Sequence, residues 1–420
     1  MLIGFKTEIK LNNQQRTALV KHAGVARHAW NWGLGLSKQI LDHNKSNPEE
    51  KIPFPSAIDL HKWLVILVKP EYPWYYEVSK CAPQYALRQL REAWERCFKK
   101  ISGIPRFKKK GKSDSFTLDG AARIFPIKDR AIKVPIIGWL RTYEQLPQVP
   151  VKCVTISRKA DRWFISFKME ALNPPPHSYG SYKVGIIPPQ NFRWNSIPAG
   201  SAVENNDGAI GEPIGVDLGL LRFATLSNNL GVDSPRPFKA LQKRLAKLQY
   251  HNRNKIIGSS NWREAQIRIA RLHNHIANAR KDFIHKVTSL LAKSHSSIVI
   301  EDLNVSGLMK NGKLSKAIAD SGFYEFRRQL EYKTKMYGSE LVLADRWFPS
   351  SKTCFNCKQV LDKLPLSVRT FKCECGWQCD RDLNASYNLV RVVNSEFTPV
   401  DKKMPSSLVE AGSFQFVSKC

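Results

Sequence analysis

Two short cysteine pairs constrain the fold of this chain more than any other feature. Cys354 and Cys357 are followed, after fifteen intervening residues, by Cys373 and Cys375. Thiolates held in two tight turns at this distance can converge on one tetrahedral Zn²⁺ ion, so the pattern predicts a zinc ribbon. Cys379 is an alternative fourth ligand, because two residues between the members of a pair is the commoner spacing. A site closed by four sulfurs has no open position, so this single zinc is expected to be structural.

The chain is strongly basic. Its 420 residues include 66 Lys and Arg against 36 Asp and Glu, a formal net charge of +30. Phosphates would neutralise such a surface most simply, which favours a nucleic-acid partner over the role of an ordinary metabolic enzyme. Residues 99–112 contain seven Lys or Arg, no acid and one central aromatic residue. Their predicted contacts with a nucleic-acid backbone are Arg106, Lys108, Lys109 and Lys110.

The sequence predicts a protein without a membrane span. Its longest uninterrupted apolar run covers residues 63–68, whereas a bilayer span needs ~20 residues. The N-terminal residues lack the charged head and apolar centre of a signal peptide. Nine cysteines are an odd number, and the paired pattern favours a metal site in a reducing compartment over disulfides. We therefore expect a cytoplasmic location.

Strand and helix patterns alternate along the chain. Apolar runs and alternation predict strands at residues 2–11, 214–220, 223–226, 298–300 and 341–344, and a hairpin at 151–169 with its turn at residues 159–161. Apolar residues at helical spacing predict helices at residues 14–38, 84–100, 238–293 (two helices with a break near residues 258–260) and 316–337. Residues 172–213 are rich in Pro and Gly and are expected to be a linker. The part after this linker is typical of an α/β domain.

Acidic residues follow buried apolar segments in a chain that is short of acids. Asp217 interrupts one predicted strand and Glu301 ends another, while Asp380 and Asp382 come just before a predicted helix. Either aspartate could simply cap that helix. Together, however, three carboxylates at one edge of a mixed sheet would supply the oxygen ligands that suit Mg²⁺ or Mn²⁺. Two such ions ~4 Å apart would activate water and stabilise the leaving oxygen in phosphodiester hydrolysis.

Several segments, taken together, resemble one known family. They are VARHAWNWGL (25–34), GIPRFKKKG (103–111), GVDLGL around Asp217, IVIEDLNVSGL around Glu301, and the CFNC, CECG and DRDLNAS series. In this order they resemble TnpB (OrfB), the transposon-encoded relative of type V CRISPR effectors, over nearly the whole chain. The resemblance implies that the catalytic carboxylates are Asp217, Glu301 and Asp382, because Asp382 precedes the LNAS segment. Asp380 is the near alternative.

The resemblance also implies an α/β plus all-β architecture. It is a RuvC-like RNase H fold with a zinc-ribbon insert, preceded by a β-barrel-type wedge domain that has a helical recognition insert. The expected parts are the wedge (1–12 and 115–171), the recognition domain (13–114), the linker (172–213), the nuclease (214–345 and 380–395), the zinc-ribbon target-nucleic-acid-binding insert (346–379) and a tail (396–420).

The function implied by the resemblance is that of an RNA-guided DNA endonuclease. A guide RNA derived from the transposon end would pair with the target, and the protein would cut double-stranded DNA beside a short transposon-adjacent motif. Two Mg²⁺ or Mn²⁺ ions would serve this cleavage. One protein monomer per guide RNA is expected rather than a dimer, acting on nucleoid DNA in a prokaryotic cell.

Two further sets of residues are predicted to contact nucleic acid. The first would line a channel for the heteroduplex or the displaced strand and consists of Arg271, Arg280 and Lys281. The second would read the adjacent motif and consists of Tyr76, Lys80 and Gln84. Glutamine can bond adenine edges and lysine can reach guanine acceptors, which is the reason for the second choice.

Two alternative functions would use the same residues. An RNA-independent transposase or transposition accessory protein would join strands at transposon ends with the same metal site. A guided binder that represses without cutting is disfavoured, because all three motif carboxylates are present. A strand-transfer assay with and without RNA separates the transposase from the nuclease.

Overall fold

A computed structural model describes residues 2–112, 114–119, 125–170, 194–196, 211–365 and 367–393 of the chain. It divides into two compact units, one of residues 1–173 with 255–274 and the other of residues 174–254 with 275–420. Most of the predicted linker and all of the predicted tail lie outside the described residues. Within the described ranges, no helix is both long enough and apolar enough to cross a membrane.

A sheet forms much of the first unit. Its described strands are β1 (Leu2–Lys10), β2 (Ser115–Asp119), β3 (Ile127–Lys128), β4 (Ala131–Val134), β5 (Gly138–Thr142), β6 (Cys153–Lys159) and β7 (Arg162–Glu170). They lie in the order β2-β6-β7-β1-β5-β4-β3 with antiparallel pairing. The predicted hairpin is β6 and β7, which turn at Ala160 with a φ of 53°. The sheet is open as far as the structure describes it, so a closed barrel is not shown.

Three α-helices belong to the same unit, namely α1 (Asn13–Ser46), α2 (Ala57–Trp63) and α3 (Cys81–Phe98). A capping box at Asn12 and Gln15 begins α1. Close packing of α1 on α3 occurs at Gly33, where a Cβ would lie 2.7 Å from the side chain of Leu87. Phe98 shares the helical spacing of the buried Leu87, Leu90 and Trp94, but it is 50% exposed because it is the last residue of that helix.

A mixed sheet forms the centre of the second unit. Its described strands are β8 (Trp194–Ser196), β9 (Ile214–Leu218), β10 (Ala224–Leu226), β11 (Leu230–Val232), β12 (Ser297–Glu301) and β13 (Glu340–Ala344). They lie in the order β13-β12-β9-β10-β11-β8, and β12 is parallel to both of its neighbours. A separate pair, β14 (Thr370–Lys372) and β15 (Gln378–Asp380), follows later in the chain. Because β8 pairs with β11, a part of the predicted linker contributes a strand to this sheet.

Six further α-helices follow: α4 (Pro237–Arg253), α5 (Ser260–Ser294), α6 (Val305–Leu308), α7 (Ser315–Ser321), α8 (Phe323–Tyr337) and α9 (Arg381–Arg391). A π-helix (Leu64–Val68) and a 3-10 helix (Pro73–Tyr75) lie between α2 and α3. The break between α4 and α5 falls at the predicted position near Gly258. The single helix predicted at 316–337 is wrong, because Gly322 adopts a left-handed φ of 75° and separates α7 from α8.

Gly215 determines how closely α9 can approach β9. A Cβ at this position would lie 2.0 Å from the carbonyl oxygen of Ser386 and 3.0 Å from the amide nitrogen of Val390. Both atoms belong to the backbone of α9, which cannot move aside as a flexible side chain could. The absence of a side chain at residue 215 therefore allows the helix to lie directly against the strand that carries Asp217.

Replacement of Gly215 by alanine should destabilise the second unit. Overpacking costs about 1–3 kcal/mol, so we expect the melting temperature of Gly215→Ala to fall by about 5 to 10 °C. Gly312→Ala is the matched control, because a Cβ at Gly312 meets no atom within 4 Å. Thermal unfolding of the two variants followed by circular dichroism tests this prediction, and equal melting temperatures would contradict the close packing of α9 on β9.

Candidate active site and metal centre

The predicted catalytic carboxylates come from three elements of the second unit. Val216 of β9 pairs in parallel register with Ile300 of β12, so the next residues, Asp217 and Glu301, are neighbours at the carboxyl ends of these strands. Asp382 lies in the first turn of α9, and its charge acts on Asp217. The fold thus brings together three acids that are far apart in the sequence.

Burial and repulsion by neighbouring carboxylates together determine the electrostatics of Asp217. Burial raises the pKa of Asp217 well above its usual range, and the neighbouring carboxylates of Glu301 and Asp382 raise it further. The positive charge of Arg381 opposes this shift, whereas Asp380 adds to it. A bound divalent cation would relieve this repulsion, and an all-carboxylate set is the type that suits Mg²⁺ or Mn²⁺. The residues present therefore fit such ions.

Glu301 and Asp382 have protein partners. The hydroxyl of Ser350 donates a hydrogen bond to Oε1 of Glu301. Asp382 lies 3.2 Å from a guanidinium nitrogen of Arg381 and 3.7 Å from one of Arg369. The oxygens of Asp217, Glu301 and Asp382 do not all approach within 4.8 Å of one another. One ion bound directly by all three would require these side chains to move.

Asp380 has a different task. Its Oδ1 accepts hydrogen bonds from the backbone amides of Asp382, at 3.0 Å, and Leu383, at 3.1 Å, and so caps the N-terminus of α9. Its other oxygen lies 3.9 Å from a guanidinium nitrogen of Arg222. Because this side chain serves as the cap, the geometry favours Asp382 over Asp380 as the third carboxylate of the site.

Four cysteines form a compact cluster. The Sγ atoms of Cys354 and Cys375 are 3.6 Å apart, those of Cys357 and Cys373 are 3.5 Å apart, and all four lie within 4.8 Å of one another. Zn–S bonds of about 2.3 Å in a tetrahedron would place the sulfurs about 3.8 Å apart. The cluster therefore fits one structural Zn²⁺ ion.

Cys375 and Cys379 have different surroundings. The backbone amide of Trp377 lowers the pKa of Cys375 to about 6, which favours the thiolate form that binds metal. Cys379 is outside the cluster and packs in a hydrophobic core with Phe371 and Leu383. Its Sγ donates a hydrogen bond to the carbonyl oxygen of Asp380 at 3.3 Å, and burial raises its pKa to about 11. The geometry favours Cys375 as the fourth ligand.

Two buried asparagines of α9 hold the first cysteine turn. Asn384 donates from Nδ2 to the carbonyl oxygen of Thr353 at 2.7 Å and accepts at Oδ1 from the amide of Phe355 at 3.2 Å. Asn388 donates to the carbonyl oxygens of Ser350, at 2.8 Å, and Thr353, at 2.7 Å. Sequence reasoning missed Ser350, Asn384 and Asn388. The sequence signal for the asparagines was two amides four residues apart, about one turn, in a predicted helix.

A cleft of about 400 Å³ lies beside Glu301 and was also missed. Its basic lining residues are Arg327, Arg328 and Arg346. Asp302 forms ion pairs with both Arg327 and Arg346, and Nη2 of Arg346 lies 2.6 Å from Oδ2 of Asp302. This acid thereby holds two guanidinium groups next to a predicted catalytic residue. Guanidinium groups are well suited to phosphate oxygens.

The predicted basic contacts in the first unit lie along α1. Trp30 donates from Nε1 to the carbonyl oxygen of Arg106 at 3.0 Å, and the amide of Lys108 donates to Asn31 at 2.8 Å. The ammonium of Lys108 lies 3.9 Å from the ring centroid of Trp30, and burial lowers its pKa to about 8. The side chains that face solvent are those of Arg106, Lys109 and Lys110. The segment is therefore fixed by its backbone and presents three of its four predicted contacts outward.

Two residues predicted to line a channel form contacts within the protein. Arg271, in the first unit, donates from Nε to the carboxylate of Asp161 at 3.0 Å. Arg280, in the second unit, donates to the carbonyl oxygen of Ala319 at 2.7 Å. Lys281 is exposed. Arg271 and Arg280 thus have structural partners, and the two units each hold a part of this set.

The predicted motif-reading residues lie in the first unit, at and before the start of α3. Tyr76 is 68% exposed, Lys80 is exposed at the N-cap, and Gln84 in the first turn is half-buried. Tyr76 contacts the ammonium of Lys69, which lies 5.4 Å from its ring centroid. These positions leave the tips of Tyr76 and Lys80 open to solvent.

Three segments of the sequence match known families. Residues 196–312 match OrfB_IS605, described as "Probable transposase", and residues 323–389 match the "Cas12f1-like, TNB domain". Residues 1–46 match a "Helix-turn-helix domain" of OrfB_IS605 proteins. In the structure this last segment is β1 followed by the single long helix α1.

Known proteins of bacterial origin resemble the chain over most of its length. A "Putative RNA-guided DNA endonuclease" of Streptomyces pristinaespiralis is 36% identical over 75% of this chain and 71% of its own. The "Putative RNA-guided DNA endonuclease InsQ" of Escherichia coli K12 is 30% identical over 93% of this chain and 92% of its own. The cryo-EM structure of a Cas12f1-sgRNA-target DNA complex has a similar fold, with a TM-score of 0.54 and 14% identity over 90% of this chain and 83% of that one.

Substitution of the two candidate fourth ligands should separate their roles. We expect purified Cys375→Ser to lose most of its zinc, because one of four ligands is removed, whereas Cys379→Ser should retain about one Zn²⁺ per chain. Zinc content measured by mass spectrometry of the intact protein and by metal analysis checks this expectation. Zinc loss in Cys379→Ser with retention in Cys375→Ser would reverse the assignment.

Proposed function

Because the chain belongs to the TnpB (OrfB) family, we propose that it is an RNA-guided DNA endonuclease that cleaves double-stranded DNA beside a short transposon-adjacent motif. The RuvC-like domain would carry out the cleavage. Family membership supports the guided nuclease activity. The observation that supports the chemistry is the convergence of Asp217, Glu301 and Asp382 at one edge of the mixed sheet.

We assign Asp217, Glu301 and Asp382 as the residues that hold two Mg²⁺ or Mn²⁺ ions. When bound, such ions activate water and stabilise the leaving 3′ oxygen of a phosphodiester. The cap that Asp380 provides at the start of α9 fixes the position of Asp382. Arg327 and Arg346 would bind phosphates of the strand in the cleft beside Glu301, since Asp302 holds both guanidinium groups there.

The zinc centre has a separate, structural role in this proposal. Cys354, Cys357, Cys373 and Cys375 would bind one Zn²⁺ ion. No open coordination position would remain, so the ion would stabilise the target-nucleic-acid-binding insert and take no part in hydrolysis. The match of residues 323–389 to the Cas12f1-like TNB domain supports this role.

The division of the chain follows the family. We propose the wedge at residues 1–12 and 115–171, the helical recognition domain at 13–114, the linker at 172–213, the nuclease at 214–345 and 380–395, the zinc-ribbon insert at 346–379 and the tail at 396–420. The seven described strands of the first unit support a β-rich wedge, for which we propose a barrel-type closure. Helices α1, α2 and α3 support a helical recognition domain.

A transposon-derived guide RNA and a target duplex would be the partners. Base pairing to the guide would supply most of the sequence specificity, while the protein would read duplex shape and the adjacent motif. We propose that Tyr76, Lys80 and Gln84 read this motif. The proposed backbone contacts are Arg106, Lys108, Lys109, Lys110, Arg271, Arg280 and Lys281, in a complex with one protein monomer per RNA.

The decisive experiment is to sequence the RNA that copurifies with the protein when it is expressed together with its flanking locus. One abundant species that ends in a freely variable segment would support RNA guidance. Heterogeneous cellular RNA would contradict it. A DNA duplex that matches the variable segment, placed beside a randomised motif, then provides the substrate for cleavage.

Removal of the central carboxylate should abolish cleavage. Asp217→Ala is expected to lower the cleavage rate by at least about 100-fold, on the order of losses seen when transition-state stabilisation is removed, while guide-RNA affinity is unchanged. Glu340→Gln is the control, because this exposed acid lies at the other end of β13 and outside the site. Cleavage that survives in Asp217→Ala would exclude the assigned metal site.

Removal of exposed lysines from the basic segment should weaken guide-RNA binding and should reduce the salt dependence of the affinity. For Lys109→Ala/Lys110→Ala we expect the slope of log affinity against log salt concentration to fall by about 1 to 2, because each lost phosphate contact removes about one unit. Lys313→Ala/Lys316→Ala removes the same charge elsewhere and should leave the slope unchanged. Filter binding at several salt concentrations measures both, and identical slopes would contradict the assignment.

The alternative function is RNA-independent strand transfer, which the description of the OrfB_IS605 match favours. A transposase would join transposon ends to a target with the same carboxylates. Joined products formed without RNA, and lost in Asp217→Ala, would replace the guided nuclease by a transposase. Cut but unjoined products that require RNA would exclude it.

A further inference from the structure

We propose that Ser350 is a positioning residue that orients the Glu301 carboxylate for the divalent ions, and that the segment leading into the zinc centre holds Ser350 in place. This inference rests on the nuclease function proposed above. Ser350 lies outside the three motif acids and outside the four cysteines. Its contacts nevertheless join these two sites.

The first step is the contact between Ser350 and Glu301. The Ser350 hydroxyl donates to Oε1 of Glu301. An ionised carboxylate is an acceptor only, so one donor at Oε1 restricts rotation of the group and leaves Oε2 for an ion. Ser350 is 3% exposed, and burial limits competition from water for this hydrogen bond.

The second step is the rigidity of the Ser350 backbone. The carbonyl oxygen of Ser350 accepts a hydrogen bond from Nδ2 of Asn388 at 2.8 Å, and its amide donates to the carbonyl oxygen of Phe348 at 2.8 Å. Asn388 is fully buried in α9. The serine is therefore fixed to the same helix that carries Asp382, so that Glu301 and Asp382 share one support.

The third step is the connection to the zinc centre. Residues 350–355, which we call the zinc strap, contain Ser350 at one end and the ligand Cys354 near the other. Thr353 bonds through its carbonyl oxygen to both Asn384 and Asn388, and the amide of Phe355 donates to Asn384. These contacts fix the strap to two side chains that lie one turn apart on α9. The four-cysteine cluster closes the far end of the strap through Cys354.

Groups that hold a metal ligand by a hydrogen bond contribute to the metal affinity and activity of metal sites. Their removal commonly reduces metal affinity or activity by about 10–100-fold, because the ligand loses its fixed orientation. Ser350 is such a group for Glu301, because it donates a hydrogen bond to that carboxylate. The neighbours of Asp217, by contrast, include the acids Glu301 and Asp382. The requirement for divalent ions should therefore be the property that responds to Ser350.

The test uses the full chain bound to its guide RNA in four forms: wild type, Ser350→Ala, Ser350→Thr and Ser321→Ala. Ser321 is the matched control, because it is buried in the same unit and its hydroxyl donates to the carbonyl oxygen of Ala317 within its own helix. Mn²⁺ binding is measured by electron paramagnetic resonance, which does not require activity. Cleavage is measured against Mn²⁺ concentration, and zinc content and guide-RNA affinity are measured for each form.

We expect Ser350→Ala to need about 10–100-fold more Mn²⁺ for binding and for half-maximal cleavage, with zinc content and RNA affinity unchanged. Ser350→Thr keeps the hydroxyl and should stay close to wild type, and Ser321→Ala should equal wild type. Equal Mn²⁺ binding by Ser350→Ala and wild type would overturn the proposal, as would an equal defect in Ser350→Thr. Loss of zinc from Ser350→Ala would also overturn it, since Ser350 would then act on the strap itself.

Mn²⁺ binding by the wild type and by Asp217→Ala tests the proposed metal site separately from the role of Ser350. Wild-type protein that binds Mn²⁺ in a manner lost in Asp217→Ala supports the metal site, whatever the result for Ser350. Wild-type protein without such binding would overturn the proposed metal site, and the role of Ser350 with it.

Discussion

The contact of α9 with β9 is the interaction on which the candidate site depends. It exists because residue 215 has no side chain, so that the backbone of α9 lies where a Cβ would otherwise be. The same helix then provides Asp382 at its first turn and Asn384 and Asn388 on its buried face. A shift of this helix would displace the third carboxylate and the support of the zinc strap together. Tyr387, whose hydroxyl bonds to Asn229, fixes the helix to the turn before β11 as well.

Like charges held together are a cost that the surrounding structure has to offset. Asp217, Glu301 and Asp382 repel one another, and burial makes the charged form of Asp217 still less favourable. The apolar core beneath the sheet, with Phe223, Ile284 and Phe326 fully buried, stabilises the strands that carry two of these acids. Repulsion among carboxylates is common at functional sites, and a bound cation would offset it.

Local signals predicted the fold better than they predicted the site. The strand after the linker, the break near Gly258 and the hairpin turn at Ala160 follow from periodicity and turn residues that act over a few positions. The helix break at Gly322 was missed because a single glycine within an amphipathic pattern is usually tolerated. The contact of Ser350 with Glu301 spans 49 residues. No pattern in the sequence reports such a pair, and only the folded chain brings the two side chains together.

The segment between Ser350 and Asp380 begins and ends at residues that are both attached to α9. Ser350 is bound through its carbonyl oxygen to Asn388, and Asp380 caps the first turn of the helix. Thr353 and Phe355, which follow Ser350, bond to Asn384 of the same helix and strengthen the first of these attachments. A change of length between the two cysteine pairs would therefore leave both attachments to α9 in place, because these attachments lie outside that part of the segment.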